Sequence, residues 1–126
     1  MTGRLIARGL AGAAFWLAAV LPVNAAELYG LVGKMTTVPG QRDAFIEILL
    51  AGVEDMPGCL SYIVAKDAAD PNAIWVTEVW DSKASHDASL SLPAVREAIT
   101  KGRPMIAGMG DGAVTIPVGG VGFIKK

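Results

Sequence analysis

Two short β-rich segments separated by a polar loop constrain the fold of this chain more than any other feature. Residues 59–66 and 74–80 are rich in β-branched and aromatic side chains, and the loop between them, DAADPN, consists of turn-forming residues. This pattern predicts a β-hairpin. Alternation along the second segment places Glu78 and Trp80 on one face of the sheet and Trp75 on the other. Because both faces carry large apolar groups, we expect both to be covered.

The segments on either side of the hairpin predict an α+β domain with the element order βαββαβ. Residues 27–37 are β-rich and end in a Pro-Gly turn, and residues 41–55 have apolar side chains at helical spacing. Residues 83–91 and 93–101 predict a helix pair, with an Asp-Ser cap before the first and a proline in the first turn of the second. A last strand is predicted over 112–117. This order is typical of a ferredoxin-like fold, an antiparallel sheet with helices on one face.

The first 25 residues predict a secretory signal peptide. Arg4 and Arg8 give a positively charged start, an apolar run over residues 9–20 follows, and small residues precede a cleavage point after Ala25. The run is shorter than the roughly 20 residues that a membrane-spanning helix needs, so we expect cleavage, with an uncleaved anchor as the alternative. The prediction is therefore a secreted or periplasmic protein without a stable membrane span, whose residues 26–126 form one domain.

Charge and size exclude one kind of partner and favour another. The chain has 11 basic and 12 acidic residues, and two of the basic ones lie in the predicted signal peptide, so the mature charge is 9 minus 12, or −3. This charge argues against a nucleic-acid partner. A domain of about 100 residues buries only about two-thirds of its unfolded surface, so a second copy over the open sheet face would stabilise it. We expect a homodimer, with a pocket between the sheet and the helices.

His86 is the only histidine of the chain and the first candidate for proton chemistry. An imidazole changes its charge near neutral pH, so His86 could move a proton or anchor a phenol. The alternative is an exposed histidine on a helix surface, beside Asp87. Glu78 is the second candidate, either as a carboxylate among apolar groups or in an ion pair with Lys34 or Lys66 across the sheet.

Other residues of the hairpin have structural as well as functional interpretations. Trp80 could pack in the core or line a pocket, and the hydroxyl of Tyr62 could orient a ligand or reach water. The single cysteine, Cys59, is interpreted as a small core residue. The sequence has no metal-ligand cluster, no GxSxG motif and no dinucleotide-binding glycine loop, so neither a metal nor a nucleotide or flavin cofactor is predicted.

The stretch PGCLSYIVAKDAADPNAIWVTEVWDSKASHDASL, residues 57–90, resembles the antibiotic biosynthesis monooxygenase family. The matching positions are Pro57-Gly58-Cys59, Tyr62, Asp67, Asp70-Pro71-Asn72, Glu78-Val79-Trp80, Ala84 to His86, Leu90 and Pro93. Together with similarities at Gly40 and near the C-terminus, the resemblance covers nearly all of residues 27–120. It implies a dimeric α+β barrel and, for members with activity, oxygenation of quinols, polyphenols or anthrones by molecular oxygen without metal or flavin.

Carried over to this chain, the resemblance matches His86 to the first histidine of the family's helix pattern, and Glu78 and Trp80 to its strand motif. His86 and Glu78 are the predicted catalytic residues. We expect His86 to handle a proton or anchor the substrate, Glu78 to orient it, and Tyr62 and Trp80 to line its pocket. The substrate would be a small aromatic molecule oxidised with molecular oxygen, and no cofactor is expected.

The chain also departs from the family pattern. Many relatives have further histidines where this chain has Ser89 and Ala94, so His86 is the only imidazole available. Haem-degrading relatives use an asparagine in the first strand, and residues 27–37 contain none, so haem degradation ranks below quinol oxidation. A non-catalytic small-molecule or stress-associated binding protein on the same scaffold stays the alternative, and whether the chain is an enzyme stays open.

Overall fold

A computed structural model of the protein describes residues 27–122, so the predicted signal peptide, residues 1–25, lies outside the described residues. In chain order the elements are β1 (Tyr29–Thr37), α1 (Arg42–Gly52), β2 (Cys59–Lys66), β3 (Ala73–Trp80), α2 (Lys83–Ser89), α3 (Pro93–Gly102), a 3-10 turn (Arg103–Met105) and β4 (Ile106–Thr115). The predicted α+β class and the βαββαβ order are confirmed. Two consecutive helices fill the second helical position, as predicted.

The four strands form one antiparallel sheet in the order β2-β3-β1-β4. β1 lies in the middle, paired with β3 on one side and β4 on the other, which is the arrangement of a ferredoxin-like fold. The predicted hairpin is formed by β2 and β3, and its pairing places Tyr62 directly opposite Glu78. Among residues 27–122, no helix is both long and apolar enough to cross a membrane.

Alternation along β3 divides the sheet into a helix-covered face and an open face. Ile74 and Val76 pack against Phe45 of α1 in the hydrophobic core, and Trp80 is only 1% exposed. Trp75 lies on the open face, where its indole N–H donates a hydrogen bond of 2.8 Å to the carboxylate that begins the β2–β3 loop. The prediction that the two tryptophans of this strand project to opposite faces is confirmed.

The β2–β3 loop is held by Asp67. One oxygen of its carboxylate accepts the backbone N–H groups of Ala69 and Asp70, both at 2.8 Å, and the other accepts the indole N–H of Trp75. The hydrogen bond from Trp75, followed by those from the backbone, holds the pKa of the Asp67 carboxyl well below its usual range. Arg42 of α1 donates to the carbonyl of Asp70 at 2.9 Å, so this loop is tied to the helix layer.

The last strand begins earlier than the sequence predicts. β4 spans Ile106–Thr115, whereas the prediction covered residues 112–117. Glycines at alternate positions from 108 to 112 lower the strand propensity of this stretch, so the sequence pattern does not predict a strand there. In the sheet they allow close approach, because a Cβ at Gly112 would lie 3.0 Å from the carbonyl oxygen of Val32. Pairing with β1, rather than local propensity, therefore decides where β4 begins.

Candidate functional site

A local cap and a contact with a distant turn fix the start of α2, the helix that carries His86. The hydroxyl oxygen of Ser82 caps this helix by accepting the backbone N–H of Ser85 at 3.1 Å. Gly58, in the turn before β2, has φ 83, and a Cβ at this position would lie 2.5 Å from the Cβ of Ser85. The carbonyl of Gly58 also accepts the backbone N–H of Asp81 at 2.9 Å. The Pro-Gly turn and the start of α2 therefore pack directly together, and this contact positions His86.

A cavity of about 350 Å³ lies between the sheet and the helices, which confirms the predicted pocket. His86, Glu78, Tyr62 and Trp80, the four residues selected from the sequence, all line it. Its volume lies near the lower end of the range of about 300–1,000 Å³ that is typical of small-molecule sites. Most of the other lining side chains are apolar, among them Met35, Phe45, Leu49, Val95 and Ile99.

The imidazole of His86 is held between aromatic rings and carboxylates. Its side chain is 17% exposed, so the alternative of an exposed surface histidine is wrong. The ring centroid lies 5.5 Å from that of Trp80, edge to face at 84°, and 5.2 Å from that of Tyr29. Nε2 lies 3.9 Å from Oε2 of Glu78, and Nδ1 lies 3.1 Å from Oδ1 of Asp87. These neighbours restrict the rotation of the ring.

Glu78 is a largely buried carboxylate beside this imidazole. Its side chain is 15% exposed, and Oε2 accepts the indole N–H of Trp80 at 2.8 Å. The alternative of an ion pair with Lys34 or Lys66 is wrong, because Lys34 pairs with Asp67 of the β2–β3 loop and Lys66 pairs with Asp43 of α1. The indole of Trp80 therefore orients Glu78 in the cavity wall.

Tyr62 adds a phenol to the same wall. Burial, and after it the negative charge of Glu78, raises the pKa of the Tyr62 hydroxyl well above its usual value. The phenol therefore stays protonated at neutral pH and can donate a hydrogen bond. The same two causes raise the pKa of the half-buried thiol of Cys59, which disfavours a reactive thiolate and agrees with a structural role.

Three polar neighbours of the site were not found from the sequence. Ser89 is buried in the cavity wall and donates to the backbone carbonyl of His86 at 2.6 Å, a contact that its spacing of three residues could have indicated. Tyr29 reaches His86 only because β1 pairs with β3 in the observed register. Arg103 lines the cavity from the turn after α3, and no sequence pattern marks it.

The fold and this cavity define an α+β protein with a partly open, mostly apolar site of small-molecule size. The family model described as antibiotic biosynthesis monooxygenase matches residues 28–101, which include β1 through most of α3. The chain belongs to this family, and the resemblance predicted from its sequence is confirmed.

A solved relative of high sequence identity agrees with this assignment. A protein of Chloroflexus aurantiacus J-10-fl with the same family description is 61% identical, with a TM-score of 0.75 over 76% of this chain and 98% of that chain. A protein of Caulobacter crescentus CB15 with that description is 18% identical, with a TM-score of 0.68 over 75% and 93%, and shows the fold alone. An uncharacterized protein of Synechocystis is 26% identical over 80 residues, 61% of this chain, and the chain spans only about half, 54%, of that relative.

Proposed function

We propose that the protein is an exported, homodimeric monooxygenase that oxidises a quinol or another polyphenolic aromatic with molecular oxygen and needs no cofactor. The observation that supports it best is the meeting of His86, Glu78 and Tyr62 in one apolar cavity. In the proposed reaction the substrate supplies all four electrons that reduce O₂. One oxygen atom enters the ring, the other leaves as water, and a quinol becomes a hydroxyquinone.

The apolar wall suits the aromatic ring, and the few polar groups suit its hydroxyls. Nε2 of His86 and Oε2 of Glu78 lie 3.9 Å apart, too far for a direct hydrogen bond. A substrate hydroxyl can therefore bind next to both atoms. His86 accepts a proton and leaves an electron-rich phenolate, the form that reduces O₂ most readily. Glu78 orients the substrate, Tyr62 donates to one of its oxygens, and Trp80 packs against its ring.

The second candidate is a non-catalytic binding protein for a small aromatic molecule. The predominantly apolar lining of the cavity would serve binding equally well, and one fold often hosts several functions. The two functions differ in whether bound aromatic molecules are oxidised.

Oxygen uptake with a panel of hydroquinones, catechols and anthrones distinguishes the two. The protein is purified from the extracytoplasmic fraction, and its intact mass reports whether residues 1–25 have been removed. It is treated with a chelator before the assay so that bound metal ions are removed. We expect at least one substrate to be turned over faster than it autoxidises, with one atom of ¹⁸O₂ in the product. Quenching of tryptophan fluorescence by the same compounds without oxygen uptake would support the binding protein instead.

The open face of the sheet supports the proposed homodimer. Its central row consists of Ile63, Thr77, Val32 and Ala113, one from each strand. Ile63 is 55% exposed, so an apolar side chain is left uncovered in the single chain. A second copy that packs sheet against sheet would cover this row, which is the geometry that two antiparallel sheets favour.

Replacing Thr77 by arginine is expected to convert the dimer into a monomer. Thr77 lies in the middle of the row and is exposed in the single chain, so the longer side chain should not disturb the fold of the monomer. At a sheet-to-sheet interface it would bury an unpaired charge. Light scattering coupled to gel filtration measures the mass, and Thr77→Val, of similar size, is the control that should stay dimeric. A monomeric wild-type protein would contradict the proposal.

A further inference from the structure

We propose that Asp87 is a positioning residue that holds the proton of the neutral His86 imidazole on Nδ1, so that Nε2 faces the cavity as the proton acceptor. The consequence for catalysis rests on the proposed function. The position of the proton, however, is a property of the resting protein and can be measured without a substrate.

The two oxygens of the Asp87 carboxylate have different partners. Oδ1 lies 3.1 Å from Nδ1 of His86, and Oδ2 lies 2.7 Å from Nζ of Lys83, one helical turn earlier. The ion pair with Lys83, and after it the contact with His86, lowers the pKa of the Asp87 carboxyl. Asp87 is therefore ionised at neutral pH. An ionised carboxylate can only accept hydrogen bonds, so Nδ1 must be the donor in this contact.

The remaining neighbours of the imidazole do not compete for Nδ1. Glu78 of β3 faces Nε2 at 3.9 Å, and the rings of Tyr29 of β1 and Trp80 of β3 pack against the ring of His86. With the proton on Nδ1, the neutral ring has its lone pair on Nε2, the nitrogen near Glu78. His86 and Glu78 both line the cavity. This placement makes Nε2 the basic nitrogen at the site.

Two acceptors then lie side by side in the cavity wall. The lone pair of Nε2 and the carboxylate of Glu78 repel each other unless a proton lies between or beside them. A substrate hydroxyl supplies such a proton, so the pair favours ligands that donate hydrogen bonds over ethers of the same shape. Once Nε2 has accepted the proton, the imidazolium lies between Glu78 and Asp87, and both carboxylates stabilise its charge.

Nitrogen-15 NMR of the side chain tests this directly, because His86 is the only histidine and its signals need no assignment. At a pH where the ring is neutral, we expect Nδ1 to carry the proton in the wild-type protein. In Asp87→Ala the proton should move to Nε2, the form that a neutral histidine prefers in water. The control is Lys83→Met, which removes the ion pair, keeps the carboxylate and should keep the proton on Nδ1. Finding the proton mainly on Nε2 in the wild type, or unmoved in Asp87→Ala, would overturn the inference.

Steady-state kinetics of the Asp87→Ala variant distinguish a positioning role of Asp87 from a merely structural one. Asp87 is half-exposed, so its contact is partly screened, and we expect Asp87→Ala to lower kcat about tenfold with KM nearly unchanged. A merely structural role would lower the melting temperature and leave the tautomer unchanged. An unaltered kcat in a variant whose tautomer has reverted would also overturn the inference. Absence of turnover with every quinol contradicts the proposed function alone, because the NMR result does not depend on it.

Discussion

Replacing His86 by alanine is expected to lower kcat for the proposed quinol oxidation by about 100- to 10,000-fold, the usual contribution of a positioned general base. His86 is the only imidazole of the chain and lines the cavity beside Glu78, so no second histidine can take its place. KM should change little, since the apolar wall that holds the aromatic ring stays intact. Oxygen uptake at saturating substrate, corrected for autoxidation, measures the effect.

Two controls make this result specific to proton transfer. His86→Gln keeps a polar side chain of similar size but supplies no base, so it should be nearly as slow as His86→Ala. Free imidazole added to His86→Ala should restore part of the rate, because the substitution leaves space next to Glu78 and Tyr29. A rate within about threefold of wild type in His86→Ala would mean that the substrate loses its proton without this residue, and would remove His86 from the mechanism.

Replacing Trp80 by alanine is expected to lower the free energy of unfolding by about 3–5 kcal/mol, the typical cost of removing a large aromatic side chain from a core. Trp80 is 1% exposed, is the last residue of β3 and packs against the ring of His86. Its loss leaves a void in the wall of the cavity. Urea denaturation measures the change, at one fixed protein concentration because the stability of the proposed dimer would depend on it.

Trp80→Phe is the matched variant for the hydrogen bond to Glu78. Phenylalanine retains most of the buried ring but leaves the carboxylate without its donor, which we expect to cost about 1–3 kcal/mol. The variant should also slow turnover, since Glu78 is then free to rotate away from His86. A loss below about 1 kcal/mol in Trp80→Ala would contradict the assignment of Trp80 to the packed layer between sheet and helices.

Elements with local signals were predicted well from the sequence, and the element without one was not. The hairpin, the cap at Ser82 and the start of α3 at Pro93 follow from residues within a few positions of each other. β4 depends on pairing with β1, whose paired residues lie 69 or more positions earlier in the chain. Its glycines weaken the local signal, and two of them, Gly110 and Gly112, lie close against β1 in the sheet.

The alternative for Glu78 could not be resolved from the sequence for a similar reason. An ion pair with Lys34 across the sheet was one possibility, but the observed register places Lys34 opposite Trp75, on the other face from Glu78. Because side chains alternate along a strand, this register determines which partners share a face. Neither the register between β1 and β3 nor the ring contact between Tyr29 and His86 can be inferred from either strand by itself.

The sequence by itself determined the element order, the family, and the faces on which Glu78 and Trp80 lie, because these depend on local periodicity and on a motif of contiguous residues. Only the tertiary structure decided that His86 turns inward, with Glu78 near one ring nitrogen and Asp87 near the other. That geometry depends on the packing of α2 against the turn at Gly58. Periodicity specifies the face on which a side chain lies, whereas the neighbour that it meets there depends on contacts between distant parts of the chain.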